Sequence, residues 1–244
     1  ETRVFLFLLS KNFKKSLMAV HDGFQGTLNP DKTYFRKTGG VIIDLNKENP
    51  FSITMRSFFQ SGRLPDGQEI DAKYFNLHLK YNFSDKHSIV LGIDYISGND
   101  QKDTANKKSN SFNFLYGSGH SFNGNMEYFK DYLKEKTGQG LINPYLQLSC
   151  KPYEKFSFRA DFHYFMLQNN LLINNKAINK NLGAEVDLSF IYNINEETTF
   201  QLGFSAMRPD KSLETIVGGN SSFYGTWAFA MLTFKPVFFK TGNN

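Results

Sequence analysis

The stretch "KFSFRADFHYFMLQ", Lys155 to Gln168, decides the fold. Phe156, Phe158, Ala160, Phe162, Tyr164 and Met166 fall on one parity, and Ser157, Arg159, Asp161 and His163 on the other. Successive side chains of a β-strand point to opposite faces, so this strand has one apolar and one polar side. Two environments accept such a strand. A soluble sheet turns its apolar side to a core and its polar side to water. A membrane barrel turns the apolar side to lipid and the polar side to a lumen.

The same period recurs along the chain, and a helical period is almost nowhere evident. In "KNLGAEVDLSFIYNI" the apolar parity is Leu182, Ala184, Val186, Leu188, Phe190, Tyr192 and Ile194. In "KYFNLHLKYNF", Phe75, Leu77, Leu79, Tyr81 and Phe83 alternate with Asn76, His78, Lys80 and Asn82. "FSITMRSFFQSG" sets Phe51, Ile53, Met55 and Phe59 against Ser52, Thr54, Arg56 and Gln60. The pattern predicts eleven strands, at 3–10, 15–22, 34–44, 50–61, 70–83, 87–97, 140–151, 156–168, 181–194, 198–208 and 223–239. Most exceed the usual length of about 5–6 residues in soluble sheets.

Composition agrees. Of 244 residues 26 are Phe, yet the mean hydropathy is -0.42, so large apolar groups are dispersed among polar ones. The longest apolar run, "VFLFLL" from Val4 to Leu9, is far short of the roughly 20 residues of a membrane-spanning helix. Barrel strands need only about 9–11 residues with every second one apolar. Cys150 is the single cysteine, so no intrachain disulfide forms. The net charge of +5 is dispersed. "KNFKK" and "NKKSN" read as solvated turns, and no basic stripe for nucleic acid extends from them.

Connections sharpen the reading. "KNFK", "NKENP", "SDK", "PYEK" and "NEE" are tight and polar, and they alternate with long connections at 23–33, 62–69, 98–139, 169–180 and 209–222. An antiparallel meander with that alternation has all its tight turns at one end, as outer-membrane barrels do. Aromatics gather near both strand ends, as interfacial girdles do. Phe13, Phe51, Phe83, Phe156, Tyr192 and Phe200 lie by the tight turns, and Tyr34, Phe35, Phe59, Tyr95, Tyr164 and Tyr224 by the long loops. The fold expected is therefore an all-β antiparallel meander, a transmembrane β-barrel over residues 1–239, with a short tail at 240–244. A bacterial outer membrane is its expected location and lipid its expected partner.

The polar parity would then line the lumen. It carries Arg36, Arg56, His78, Lys80, Lys151, Arg159 and His163 together with Asp44, Asp94, Asp161, Glu185 and Asp187. These groups either pair across the lumen or form a path for small or anionic solutes. An odd strand count leaves the two ends of a meander on opposite sides. That predicts at least one further N-terminal strand before "ETRVFLFLLS", which shows no leader pattern.

Several segments resemble the outer-membrane alginate-export family and its porin-like relatives. They are "YFRKTGG" (Tyr34 to Gly40), "FFQSGRLPDGQEIDA" (Phe58 to Ala72), "LGIDYISGND" (Leu91 to Asp100), "FNFLYGSGHSFNGNMEYF" (Phe112 to Phe129) and "WAFAMLTFKPVFF". They occur in family order across most of residues 33–239. The resemblance implies the C-terminal part of an 18-stranded barrel, lacking roughly seven strands, that carries small or anionic saccharide solutes. It also implies an electropositive path, with Arg36 and Arg56 on the matching strands. Lys37 stands where many relatives have Gln, and the inward acids dilute the positive field.

Within the long connection 98–139, the aromatic part from Phe112 to Phe122 is expected to fold back toward the lumen, with Tyr116 and His120 at a constriction. The alternative is packing against neighbouring loops. "GSGHS", Gly117 to Ser121, lacks the strand–elbow–helix context of a serine nucleophile, so no catalytic residue is expected. The five histidines have no metal spacing. Asp161, Glu185 and Asp187 are read as partners of Arg159 or Lys151 rather than cation ligands, and no cofactor or metal is expected. The leading functional reading is a porin-like channel. Its competitor is an anchoring barrel with a plugged lumen, bound to other outer-membrane proteins.

Overall fold

The computed structural model describes residues 2–10, 13–46, 50–114, 123–129 and 138–236, with the segments up to residue 13 described as backbone alone. The strands are β1 (Thr2–Ser10), β2 (Phe13–Gln25), β3 (Thr33–Leu45), β4 (Phe51–Arg63), β5 (Glu69–Ser84), β6 (His87–Ile96), β7 (Leu141–Tyr153), β8 (Phe156–Leu167), β9 (Leu172–Ile173), β10 (Lys176–Ala177), β11 (Asn181–Asn193), β12 (Thr198–Pro209) and β13 (Gly225–Phe234). One helix, α1 (Lys211–Val217), precedes β13. Eleven strands form a single sheet in the order β1-β2-β3-β4-β5-β6-β7-β8-β11-β12-β13. Every neighbouring pair is antiparallel, so the chain meanders without a crossover.

Facing settles the question raised by Lys155 to Gln168. Phe162 is 40 % exposed, and Phe75, Leu77, Leu91, Ile93, Leu148, Phe158, Leu202 and Phe204 are also exposed. On the opposite parity Asn76, Asp94, Asn143, Asp161, Glu185, Asp187 and Ser205 are buried. Apolar residues point out and charged residues point in, the reverse of a soluble sheet and the facing of a transmembrane barrel. The strands of the sheet run from 9 to 16 residues. Outward rings cluster toward both ends. Phe59 and Phe75 meet edge to face at 5.6 Å, with Tyr95 beyond, and Phe156 stacks on Tyr192 at 4.6 Å.

Four expectations needed correction. The connections expected at 23–33 and 62–69 shrink to 26–32 and 64–68, because β2 and β3 keep pairing out to Gln25 and Thr33, and β4 and β5 out to Arg63 and Glu69. Tyr34 does not join the outer girdle. It shares the inward parity of Arg36 and packs at Gly26 and Gly67 in two outer loops. Leu182 turns inward: the register shifts between Asn181 and Gly183, and the bulge moves Leu182 off the outer parity into contact with the buried apolar cluster. The last strand is described as Gly225–Phe234. Phe13 lies among residues described as backbone alone.

Two long connections hold structure of their own. β9 and β10 pair as a small hairpin around Asn174 and Asn175, both at positive φ, the turn that Asn tolerates best. In α1, Leu213, Ile216 and Val217 recur at helical spacing and pack on the apolar cluster. Glu214 ties the helix to the following loop. It pairs with Lys211 and accepts from Ser221 N–H at 2.8 Å and Ser221 Oγ at 2.6 Å.

The apolar cluster does not fill the sheet's whole inner side. It gathers Tyr74, Ile96, Phe112, Phe129, Leu141, Phe165, Leu167, Leu182, Met207 and Leu213 at the long-loop end. Loops are folded inward there, over a polar interior.

Two outcomes test this. Phe162→Arg places a cation on the lipid face in mid-strand and should cost about 2–4 kcal/mol, measured by urea titration of folding into vesicles. A near-zero cost would contradict the facing. The Glu214 carboxyl is pushed down to about 2, first by Lys211 and then by Ser221. A lowered folded-state value means that the tie is complete above the ordinary value of 4.5 and is lost as pH falls through about 2. The Ser221 amide resonance should titrate near that lower value; a midpoint near 4.5 would refute the tie.

Candidate functional site

The inner side between β4 and β11 lines a cavity of about 380 Å³. Alternation supplies its polar lining. Arg56 comes from β4, Asn76 and His78 from β5, Tyr145 from β7, Arg159, Asp161 and His163 from β8, and Asp187 from β11. Arg56 donates to Asn76 Oδ1 at 2.6 Å. The Asn76 amide in turn donates to Asp94 Oδ1 at 3.0 Å, and Tyr74 donates its hydroxyl proton to the same oxygen at 2.8 Å. On the far wall Arg159 Nε donates to both Asp161 oxygens, at 2.9 and 2.7 Å. His163 Nδ1 lies 3.1 Å from Asn143 Oδ1, and its Nε2 lies 3.9 Å from Asp187. Both charge signs therefore face one hollow.

Two described pieces of the long connection, 112–114 and 123–129, reach this interior, each fastened to a different wall. On one side Phe112 and Phe114 pack on Tyr74, with ring centroids at 5.7 and 5.1 Å. Asn113 N–H donates to Gln60 Oε1 at 2.9 Å, and Gln60 Nε2 donates to the Asn113 carbonyl at 2.6 Å. On the other side Asn125 N–H donates to Asp187 Oδ2 at 3.2 Å and Met126 N–H to Glu185 Oε1 at 2.9 Å. Phe129 packs on Phe165 at 4.4 Å. Gly124, at φ +82, lies so close that a Cβ there would stand 2.5 Å from Glu185 Oε1. Only glycine suits both the left-handed backbone and that approach. Two buried carboxylates thus act as acceptors for backbone N–H groups that no strand pairs, which offsets the burial of both partners.

A second inner-face feature is periodic. Three rings stand directly opposite a glycine on the neighbouring strand: Phe58 opposite Gly40, Tyr145 opposite Gly92 and Phe229 opposite Gly203. A Cβ on those glycines would come within 2.0, 2.0 and 1.9 Å of the ring. Each ring therefore lies flat against the wall in the space the missing side chain leaves, one face turned to the interior. Phe58 is stacked on by Tyr74 at 6.2 Å. Tyr145 sits between His78 and His163, and its hydroxyl is 3.1 Å from His78 Nδ1.

The structure brings together Arg56, His78, Arg159, Asp161, His163 and Asp187 from the residues expected in the lumen. Glu185 holds the 123–129 piece from beneath. Arg36, Lys80 and Lys151 are not at the cavity. Arg36 is buried near the loop end, 3.5 Å from Asp22 and over the Phe24 ring. Lys80 lies further along β5, and Lys151 is exposed near the tight turn after β7. Asp161 pairs with Arg159, whereas Asp187 and Glu185, expected to pair with Arg159 or Lys151, instead accept from the Asn125 and Met126 backbone N–H groups. Tyr116 and His120 lie outside the described residues. Among the described residues, no group of three or more His, Cys, Asp or Glu could hold a metal ion. Tyr145 and residues 123–125 were not anticipated, whereas Asn76 lay on the polar parity without being singled out. The parity of "LINPYLQLS" carries Asn143, Tyr145 and Gln147 together and could have revealed Tyr145.

No family model matches the chain, and no curated protein does. Solved structures give remote likenesses. The NanC porin in a rhombohedral crystal form shares 10% identity over 96% of this chain and 98% of that one, with a TM-score of 0.44. The CymD monoaromatic hydrocarbon channel shares 8% identity over 96% and 73%, at 0.41. BauA, the ferric preacinetobactin receptor from Acinetobacter baumannii, shares 12% identity over 84% of this chain and 35% of its own length, at 0.45.

Removing the Phe112 ring tests the fastening. Phe112→Ala should destabilise the folded state by about 3–5 kcal/mol, as for other buried aromatic truncations. It should also open residues 98–139 to limited proteolysis while the strands stay protected. Unchanged proteolysis would mean that this ring does not secure the segment.

Proposed function

We propose that the chain forms a channel in a bacterial outer membrane for small hydrophilic solutes, anionic ones included, and that residues 123–125 of the long connection, which line its cavity, form the constriction. The observation that carries this reading is the inverted facing, with lipid-compatible side chains outside and a charged, solvent-sized cavity inside. Arg56 on one wall and Asp187 with the Arg159–Asp161 pair on the other give the cavity both signs of charge. Such a lining orients polar solutes without demanding one net charge. The alginate-export likeness rests on its sequence segments alone. Alginate itself is a poor fit, because the acids offset the arginines.

The plugged, anchoring barrel is supported by one feature, the apolar cluster where loops pack inward at the long-loop end. Planar-bilayer recording separates the two readings. A channel gives discrete conductance steps in KCl, and a plug gives none from correctly folded protein. The double variant Asp187→Ala/Glu185→Ala removes the acceptors that hold Asn125 and Met126. It should raise the single-channel conductance or add open–closed flicker, with heat-modifiable migration on gels unchanged. The same conductance in both proteins would deny residues 123–125 their role.

A further inference from the structure

We infer that Trp227 and Phe229 form a ring-stacking subsite for the pyranose rings of saccharides, a deepening of the channel reading above. The strand register sets Trp227, Phe229 and Met231 opposite Ser205, Gly203 and Gln201, on the inward parity. Asn125 of the long connection helps to line the same hollow, which places that face on the interior side. On every other wall strand from β4 to β12 the inward parity at this depth is largely polar, so an indole and a phenyl side by side are out of pattern. Their ring centroids are 4.9 Å apart.

The three glycine-seated rings make the comparison within the molecule. The Phe58 ring is stacked on by Tyr74, and Tyr145 lies between two imidazoles. Phe229 meets only Trp227 among the described rings, and Trp227, on β13 at the edge of the sheet, is 45 % exposed. The wall is shaped to lay a flat ring there, and among the described residues no further ring covers it.

The surroundings choose the occupant. The hollow, about 170 Å³, is completed by Gln201, Ser189 and Asn125. Two amides and a hydroxyl beside two aromatic faces match a pyranose, which has an apolar C–H face and equatorial hydroxyls that both donate and accept. A simple aromatic solute would leave those amides unmatched. Asn125 also lines the charged cavity, so this hollow and that cavity meet at Asn125. A sugar ring leaving the stack would pass directly to Arg56, Tyr145 and Asp161.

Trp227 is the single tryptophan of the sequence, so its fluorescence reports this subsite alone. The purified full chain in detergent would be titrated with maltotriose, cellotriose, a triuronate, the acyclic polyol sorbitol, and benzoate. A saturable emission change is expected with at least one trisaccharide and none with sorbitol. Phe229→Ala, which keeps the reporter, should weaken the half-saturating concentration at least 10-fold. The inference is overturned by no saturable change with any trisaccharide, by an equal response in Phe229→Ala, or by benzoate responding in place of sugars. The readout needs no conductance. Binding without current would overturn the channel reading and leave the subsite standing, and current without binding would do the opposite. Gly203→Val offers a second variant. It fills the seat beneath Phe229, so sugar binding should fall while heat-modifiable migration is retained.

Discussion

Everything in this molecule depends on backbone groups being paired strand to strand while the outer face stays apolar. An antiparallel meander satisfies the N–H and C=O groups of each strand through its neighbours. Alternation then sends Phe75, Leu91, Phe162 and Phe204 outward and Asn76, Asp94, Asp161 and Asp187 inward without further cost. Slipping one register by a single residue would exchange the two sets and put carboxylates into lipid. Where the parity is broken at Leu182, a bulge is needed. There the displaced residue is an apolar one moving into an apolar cluster.

The inner side is built to a different rule, since its polar groups must be satisfied without closing the space. Some are satisfied within the wall, as in the chain from Arg56 through Asn76 to Asp94 and the pair of Arg159 with Asp161. Others are satisfied by a loop. Glu185 and Asp187 are poor neighbours for each other, yet together they present acceptors to two consecutive backbone N–H groups of the long connection. Where side-chain volume would crowd the interior, a glycine on the facing strand lets a ring lie against the wall. Loop fastening at two walls and seated rings leave a narrow, polar, partly aromatic interior.

Much of the architecture was legible in the residues. The period of two located the strands to within a few positions and assigned their faces, because each face meets only one kind of environment. The helix at Lys211–Val217 was not anticipated, since it is barely two turns long inside the connection expected at 209–222 and its signal, Leu213, Ile216 and Val217, is short. The hairpin at Asn174 and Asn175 had its turn chemistry on display. Parity also identified Arg56, His78, Arg159, Asp161, His163, Glu185 and Asp187 as inward. It could not say which of them share a level, because strand stagger sets height and no single strand records it. Arg36 and Lys151 share the parity and miss the cavity for that reason.

The sequence by itself determined the class of fold, the sidedness of each strand and the segregation of loop lengths, since these follow from local alternation and turn chemistry. Only the tertiary structure decided what occupies the interior. The pairing of Asn113 with Gln60, of Met126 with Glu185 and of Phe229 with Gly203 joins residues far apart in the chain or on different strands. Such contacts are fixed by register, stagger and the path of a loop through space. Those are properties of the assembled sheet, and no segment of the chain carries them alone.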